Sequence, residues 1–116
     1  MHGGARIVAL GPGDGPALVD PLEGRATVKA RALETGGALS VLERVLAPGE
    51  SAPAHAHAGQ EEAIYVLAGE LRLHVGAFTY SAPASAFFLV PRGTEHRLEN
   101  TGAAPARVLA MFTPAG

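Results

Sequence analysis

The chain has 116 residues, the size of one ordinary domain, and a hydrophobic fraction of 47%, enough for one real core. Charged residues make up only 17% and net charge is −2 with a single lysine, Lys29, which excludes a disordered polyelectrolyte and the clustered basic footprint of a nucleic-acid binder. Cysteine is absent, so there is no disulfide framework and no thiolate site, and any metal must be held by imidazole and carboxylate. Met1-His2-Gly3-Gly4 lacks the apolar region of a signal peptide and no stretch is long enough to span a bilayer, so a cytoplasmic protein with no membrane partner is expected.

Along the chain, Leu10 to Pro21 contains Gly11-Pro12-Gly13-Asp14-Gly15-Pro16, which lacks the Lys-Ser/Thr of a phosphate-binding loop and reads as plain loop. His2, close to a terminus, is not expected to be ordered. Arg25 to Thr35 is the longest stretch free of Gly and Pro, at eleven residues, so there is almost no room for a helix of average length. Its Ala, Arg, Leu and Glu favour helix, but Val28, Ala30 and Ala32 alternate with Lys29 and Arg31, and it is taken as a strand. Residues 1–37 are thus expected to be loop plus edge strands. Strands are expected at Ala38 to Ala47, Glu62 to Ala68, Glu70 to Val75, Phe78 to Ser81, Ala86 to Val90, His96 to Asn100 and Ala106 to Thr113. Gly69 falls between two of them as a hairpin or bulge residue. Short strands punctuated by turn residues predict an all-β sandwich or barrel in one domain, 1–116, with its core over about 38–114.

Four residues carry chemistry. His55 and His57 stand two apart, which on an extended chain puts both imidazoles on one face. Glu62 opens an apolar strand and shares a face with Ile64 and Val66. A carboxylate on a core face is costly unless something compensates its charge, and a cation would do so. His96 shares a face with Leu98 and Asn100 and follows the tight turn Pro91-Arg92-Gly93-Thr94-Glu95. Glu61 is the competing carboxylate, but it alternates with the face of Ala63, Tyr65 and Leu67. His74 lies with Glu70 and Arg72 on a polar face and reads as a surface histidine. Either Glu43 or Arg44, whichever points inward, is a candidate group beside the site.

The run from Gly49 through His55, His57 and Glu62 to Gly69 resembles the first cupin motif, G(x)5HxH(x)4E(x)6G, with every fixed position present. Pro91-Arg-Gly93-Thr-Glu-His96-Arg-Leu-Glu-Asn100 resembles the second, PxGxxHxxxN, except that Ser85 stands where its leading Gly would be. The resemblance covers roughly Ala38 to Pro114. It implies a double-stranded β-helix, the jelly-roll barrel of small single-domain cupins, with His55, His57, Glu62 and His96 as metal ligands.

Three neutral imidazoles and one carboxylate around a divalent ion leave a net charge near +1, and on a six-coordinate metal two positions stay open. Such a site favours a small anionic chelating ligand such as an enediol, catechol, flavonol or keto acid. The donor set does not choose among Fe, Mn, Ni, Co, Cu and Zn. By resemblance to the quercetin-dioxygenase-like branch, a metal-dependent dioxygenase, an oxidoreductase, is the leading expectation. A non-redox isomerase or lyase and a non-catalytic binding module are the alternatives. Tyr65 and Leu67 form a second apolar face on their strand, which needs a cover from the N-terminal segment or a second subunit. A homodimer is expected.

Overall fold

A computed structural model describes residues 7–20 and 24–116; His2 lies outside them. The strands are β1 (Ala17–Asp20), β2 (Gly24–Ala30), β3 (Ser40–Leu46), β4 (Glu61–Ala68), β5 (Glu70–Val75), β6 (Phe78–Pro83), β7 (Phe87–Val90), β8 (Arg97–Asn100) and β9 (Ala106–Thr113), with one short helix, α1 (Ala32–Thr35), after β2. They form two antiparallel sheets, one of six strands in the order β1-β2-β3-β9-β4-β7 and one of three in the order β6-β5-β8. Nearly every expected strand is present to within two residues at either end. Among the described residues no helix is long and apolar enough to cross a membrane.

Alternation builds the core. Ile64 and Val66 of β4, Leu71 and Leu73 of β5, Leu98 of β8, and Val108 and Ala110 of β9 are all at most 2% exposed, while their neighbours in sequence turn outward. The two sheets are tied at one side through the motif residue Asn100. Its buried side chain donates to the carbonyls of Leu46 (3.0 Å) and Ala104 (2.9 Å) and accepts from the Gly102 amide (2.9 Å). Its backbone pairs with Gly49 and Glu50 at 2.9 Å each. This asparagine therefore holds the end of β3 against the end of β8 and has no part in ligation.

Two expectations need correction. Arg25 to Thr35 is not one strand: β2 ends at Ala30, and Ala32–Thr35 forms a single helical turn. The Glu34 carboxylate accepts from the Arg31 amide (3.1 Å), and Gly36 in the left-handed region (φ 65°) ends the turn. The alternation itself breaks at a register shift between Val28 and Ala30, and local capping then decides for the helical turn. Nor is Leu10 to Pro21 all loop, because Ala17–Asp20 pairs with β2, Ala17 opposite Thr27 and Val19 opposite Arg25. Pro16 and Pro21 bracket a strand too short to show a pattern of its own.

Ser85 adopts φ 74°. The turn keeps the backbone conformation of the motif glycine even though a serine supplies it, and the Ser85 amide still closes on the Val66 carbonyl at 2.8 Å. Gly69 is required where it stands. At φ 95° it follows a register shift between Val66 and Ala68, and a Cβ there would lie 2.7 Å from that of Ala106.

Candidate metal centre

His55 and His96 reach the site on neighbouring stretches of backbone. The His55 amide donates to the His96 carbonyl (3.0 Å) and the His96 amide to the His55 carbonyl (2.9 Å), an isolated antiparallel bridge just before β8. Two residues on, the His57 carbonyl accepts from the Gly93 amide at 2.8 Å, so the turn of the second motif is clamped onto the first. Glu62 enters from the first inward position of β4, opposite Val90 of β7 and Phe112 of β9.

The expected four residues are brought together. One donor atom from each of His55, His57, Glu62 and His96 lies within 4.8 Å of all the others. Ring centroids are 4.9 Å apart for His55 and His57, 4.7 Å for His55 and His96, and 5.9 Å for His57 and His96. Glu62 is 1% exposed, His96 3% and His55 8%, and His57 is partly open.

The outer ring nitrogens fix the tautomers. His55 Nδ1 lies 3.0 Å from the Pro53 carbonyl and His96 Nδ1 lies 2.9 Å from the Thr94 carbonyl. A carbonyl can only accept, so each Nδ1 carries a proton and each Nε2 is left facing the cluster, where it could ligate a metal. In the protein alone His96 Nε2 is 2.8 Å from Glu62 Oε1, and His57 Nε2 is 3.4 Å from the same oxygen. Burial opposes charge on His96, but its hydrogen bonds to Glu62 and Thr94 prevail and hold its pKa above the ordinary 6.5. His96 Nε2 is thus placed to donate to the buried carboxylate. A divalent cation could take over that role, with the three inward nitrogens and the carboxylate as its donors. The residues present fit a metal.

Glu61 points the other way. Its carboxylate makes a two-pronged pair with Arg92, 2.6 Å from Nε and 3.0 Å from Nη2. That hydrogen-bonded guanidinium holds the Glu61 pKa below its usual range. His74 sits on the three-stranded sheet between Glu99 (2.8 Å) and Thr79 (3.1 Å), away from the cluster. Of the adjacent pair on β3, Arg44 points inward and is buried, while Glu43 meets Lys29 (3.6 Å) and Arg107 (2.8 Å). Arg44 shares its row with Val108 and Val66, whereas the row of Glu62 meets β3 at Ser40. The two rows are thus about 13 Å apart along the strand at the usual rise.

A cavity of about 410 Å3 opens beside His57. Its walls are mostly apolar, from Leu18, Val28, Leu42 and Phe112, with Ser40, Gln60 and Arg31 as polar members. The Phe112 ring meets His57 edge-on at 5.0 Å. Gln60 and Phe112 were open to inference from motif position and strand parity. Arg31 gave no signal in sequence.

A family model described as "Cupin domain" matches residues 42–112, more than half of the chain and the stretch that carries all four clustered residues. The chain is a cupin. It is 36% identical over 80 residues to the tetracenomycin polyketide synthase protein TcmJ of Streptomyces glaucescens, covering 69% of this cupin and 52% of that protein. It is also 36% identical over 106 residues to germin-like protein subfamily 2 member 2 of Arabidopsis thaliana, covering 84% and 48%. The cupin therefore spans about half the length of these curated relatives. Among solved structures, a predicted oxalate decarboxylase from Thermotoga maritima superposes with a TM-score of 0.74 at 24% identity, over 78% of this chain and 79% of the other. At that identity the likeness speaks for the double-stranded β-helix fold alone.

Proposed function

We propose that this cupin is a metal-dependent enzyme of the dioxygenase type, in the manner of the quercetin-dioxygenase-like branch, acting on a small anionic chelating substrate. The observation that carries the reading is the convergence of three imidazoles and one carboxylate, one of which, His57, lines a mostly apolar cavity. When bound, a redox-active divalent ion would supply Lewis acidity toward a chelating oxyanion and electrons for chemistry with O2. The protein's own part is positional. His55 and His96 are oriented by backbone carbonyls, Glu62 supplies the one negative charge, and Phe112, Val28 and Leu42 keep the substrate side dry. Apart from His57, the described residues lining the cavity include no Lys, Asp, Glu or His that could shuttle protons. That favours oxygen chemistry over an isomerase or lyase, which needs a placed acid or base. The printed name of TcmJ associates a relative with polyketide synthesis, which supports a phenolic or enolic substrate.

The test is metal analysis of untagged protein from metal-replete cells, followed by oxygen uptake with a flavonol or a diketone. Near-stoichiometric metal, lost in His96→Ala, and metal-dependent oxygen consumption are expected. Stoichiometric metal without oxygen consumption for any of iron, manganese, nickel, cobalt or copper would overturn the dioxygenase reading. Absence of metal would overturn both.

We also propose a homodimer. The described N-terminal strands lie beside β3 and do not cover β4, so Tyr65 (37% exposed), Phe87 (58%) and Leu89 (60%) stay open on the outer face of the large sheet. Phe87 faces Tyr65 and Leu89 faces Ala63 across β4–β7, which makes the patch continuous. A second copy would cover it.

A further inference from the structure

The cavity beside the metal centre has a second polar end. Glu62 on β4 faces Phe112 on β9, and Phe112 is in register with Ser40 on β3. Ala30 on β2 faces Val41, the neighbour of Ser40, and the next residue, Arg31, lines the same cavity as Ser40. The row therefore runs from the ligand carboxylate across three strand spacings to Arg31, about 14 Å at the usual separation. Between the ends lie Phe112, Leu42 and Val28, all apolar and all lining the same cavity. At about 410 Å3 the space is at the small end of the range for organic ligands.

Arg31 is the one permanently cationic side chain among the described residues lining this cavity, and no carboxylate side chain lines it. Glu34 accepts from the Arg31 backbone amide (3.1 Å) and ion-pairs with Arg31 Nε (3.4 Å) at the head of α1, and the arginine side chain remains half exposed and open to a ligand. Ser40 lines the same cavity. A guanidinium beside a hydroxyl at the end of an apolar slot is suited to a planar anion, a carboxylate above all.

We infer that the ligand of this cavity is a flat aromatic or enolic acid with two anionic ends, one chelating at the His57 end and a distal carboxylate held by Arg31 beside Ser40. The chelating end rests on the metal-dependent reading above; the distal subsite rests on the placement of Arg31 and Ser40 alone.

The test is direct binding to the full chain loaded with zinc, followed by the intrinsic fluorescence of two probes. One is a hydroxynaphthoate that can only chelate, and the other is a hydroxynaphthalene dicarboxylate with its second carboxylate on the distal ring. The unsubstituted protein should prefer the dicarboxylate by about tenfold or more. In Arg31→Gln that preference should fall to within about twofold, while Arg31→Lys keeps part of it and zinc affinity is unchanged in both. Equal affinity for the two probes in the parent protein would overturn the inference, as would a preference that survives Arg31→Gln. Failure of the metal reading looks different: the hydroxynaphthoate then binds equally with and without zinc, while the preference for the dicarboxylate still follows Arg31.

Discussion

Lowering the pH from 8 to 6.5 should perturb the metal-free and metal-loaded protein in opposite directions. In the metal-free protein burial opposes charge on His96, yet the hydrogen bonds to Glu62 and Thr94 raise its pKa above 6.5. A base raised in the folded state contributes stability that is complete below its unfolded pKa and is lost as pH climbs through the folded one. Protein kept in chelator should therefore melt at a higher temperature as pH falls through this window. Metal-loaded protein should do the reverse, because each ligating imidazole must be neutral and the proton competes with the ion. Affinity falls about tenfold per pH unit for each proton displaced. At saturating metal each tenfold loss removes about 1.4 kcal/mol of stability, or roughly 4–6 °C of melting temperature for a chain this size. The depressed pKa of Glu61 acts only below its ordinary 4.5 and does not enter the window. Thermal melts between pH 6 and 8, with chelator or with zinc, read the two slopes. Titration calorimetry at pH 7 in two buffers of different ionisation enthalpy counts the protons released. Parallel melting curves, or no proton released on metal binding, would refute the raised His96 pKa and its loss on metal binding.

Glu62→Gln should weaken metal binding by more than about a hundredfold, since even partners behind a ligand cost tenfold to a hundredfold. Glu61→Gln, which only releases Arg92, should leave metal stoichiometry unchanged; loss of metal in Glu61→Gln with retention in Glu62→Gln would reverse the assignment. Ser85→Gly should stabilise the protein by about 0.5–1 kcal/mol, because a serine at φ 74° bears a left-handed strain that glycine does not; a lower denaturation midpoint would contradict this. Leu89→Glu places a charge in the proposed dimer face and should give a monomer by light scattering, and a parent protein already monomeric at micromolar concentration would remove the dimer proposal.

The convergence of the four residues was legible because its signals were local. His55 and His57 are two residues apart, Glu62 shares strand parity with Ile64 and Val66, and both stretches carry motif spacings. Glu61 was set aside by parity, and its actual partner, Arg92, is a contact between residues 31 positions apart that no local pattern announces. The short strand at Ala17–Asp20 escaped for a similar reason, since its extended form depends on pairing with Arg25 and Thr27 across a turn. At Ala32–Thr35 the sequence held two conflicting tendencies, and one carboxylate plus a left-handed glycine decided for the helix. The distal wall of the cavity was hidden for a tertiary reason, because Arg31 and Ser40 come to line one cavity only after β2 has paired with β3.

The reciprocal hydrogen bonds between the His55 and His96 backbones, at 3.0 and 2.9 Å, mean that two ligands 41 positions apart are joined by main chain alone. The centre is a socket that exists before its ion. In zinc fingers the ligands meet only when the metal gathers them, and a chelator unfolds the domain. Here stripping should leave a folded and refillable barrel. One preparation could then be emptied and charged with different metals in turn, so that their chemistries are compared within the same walls.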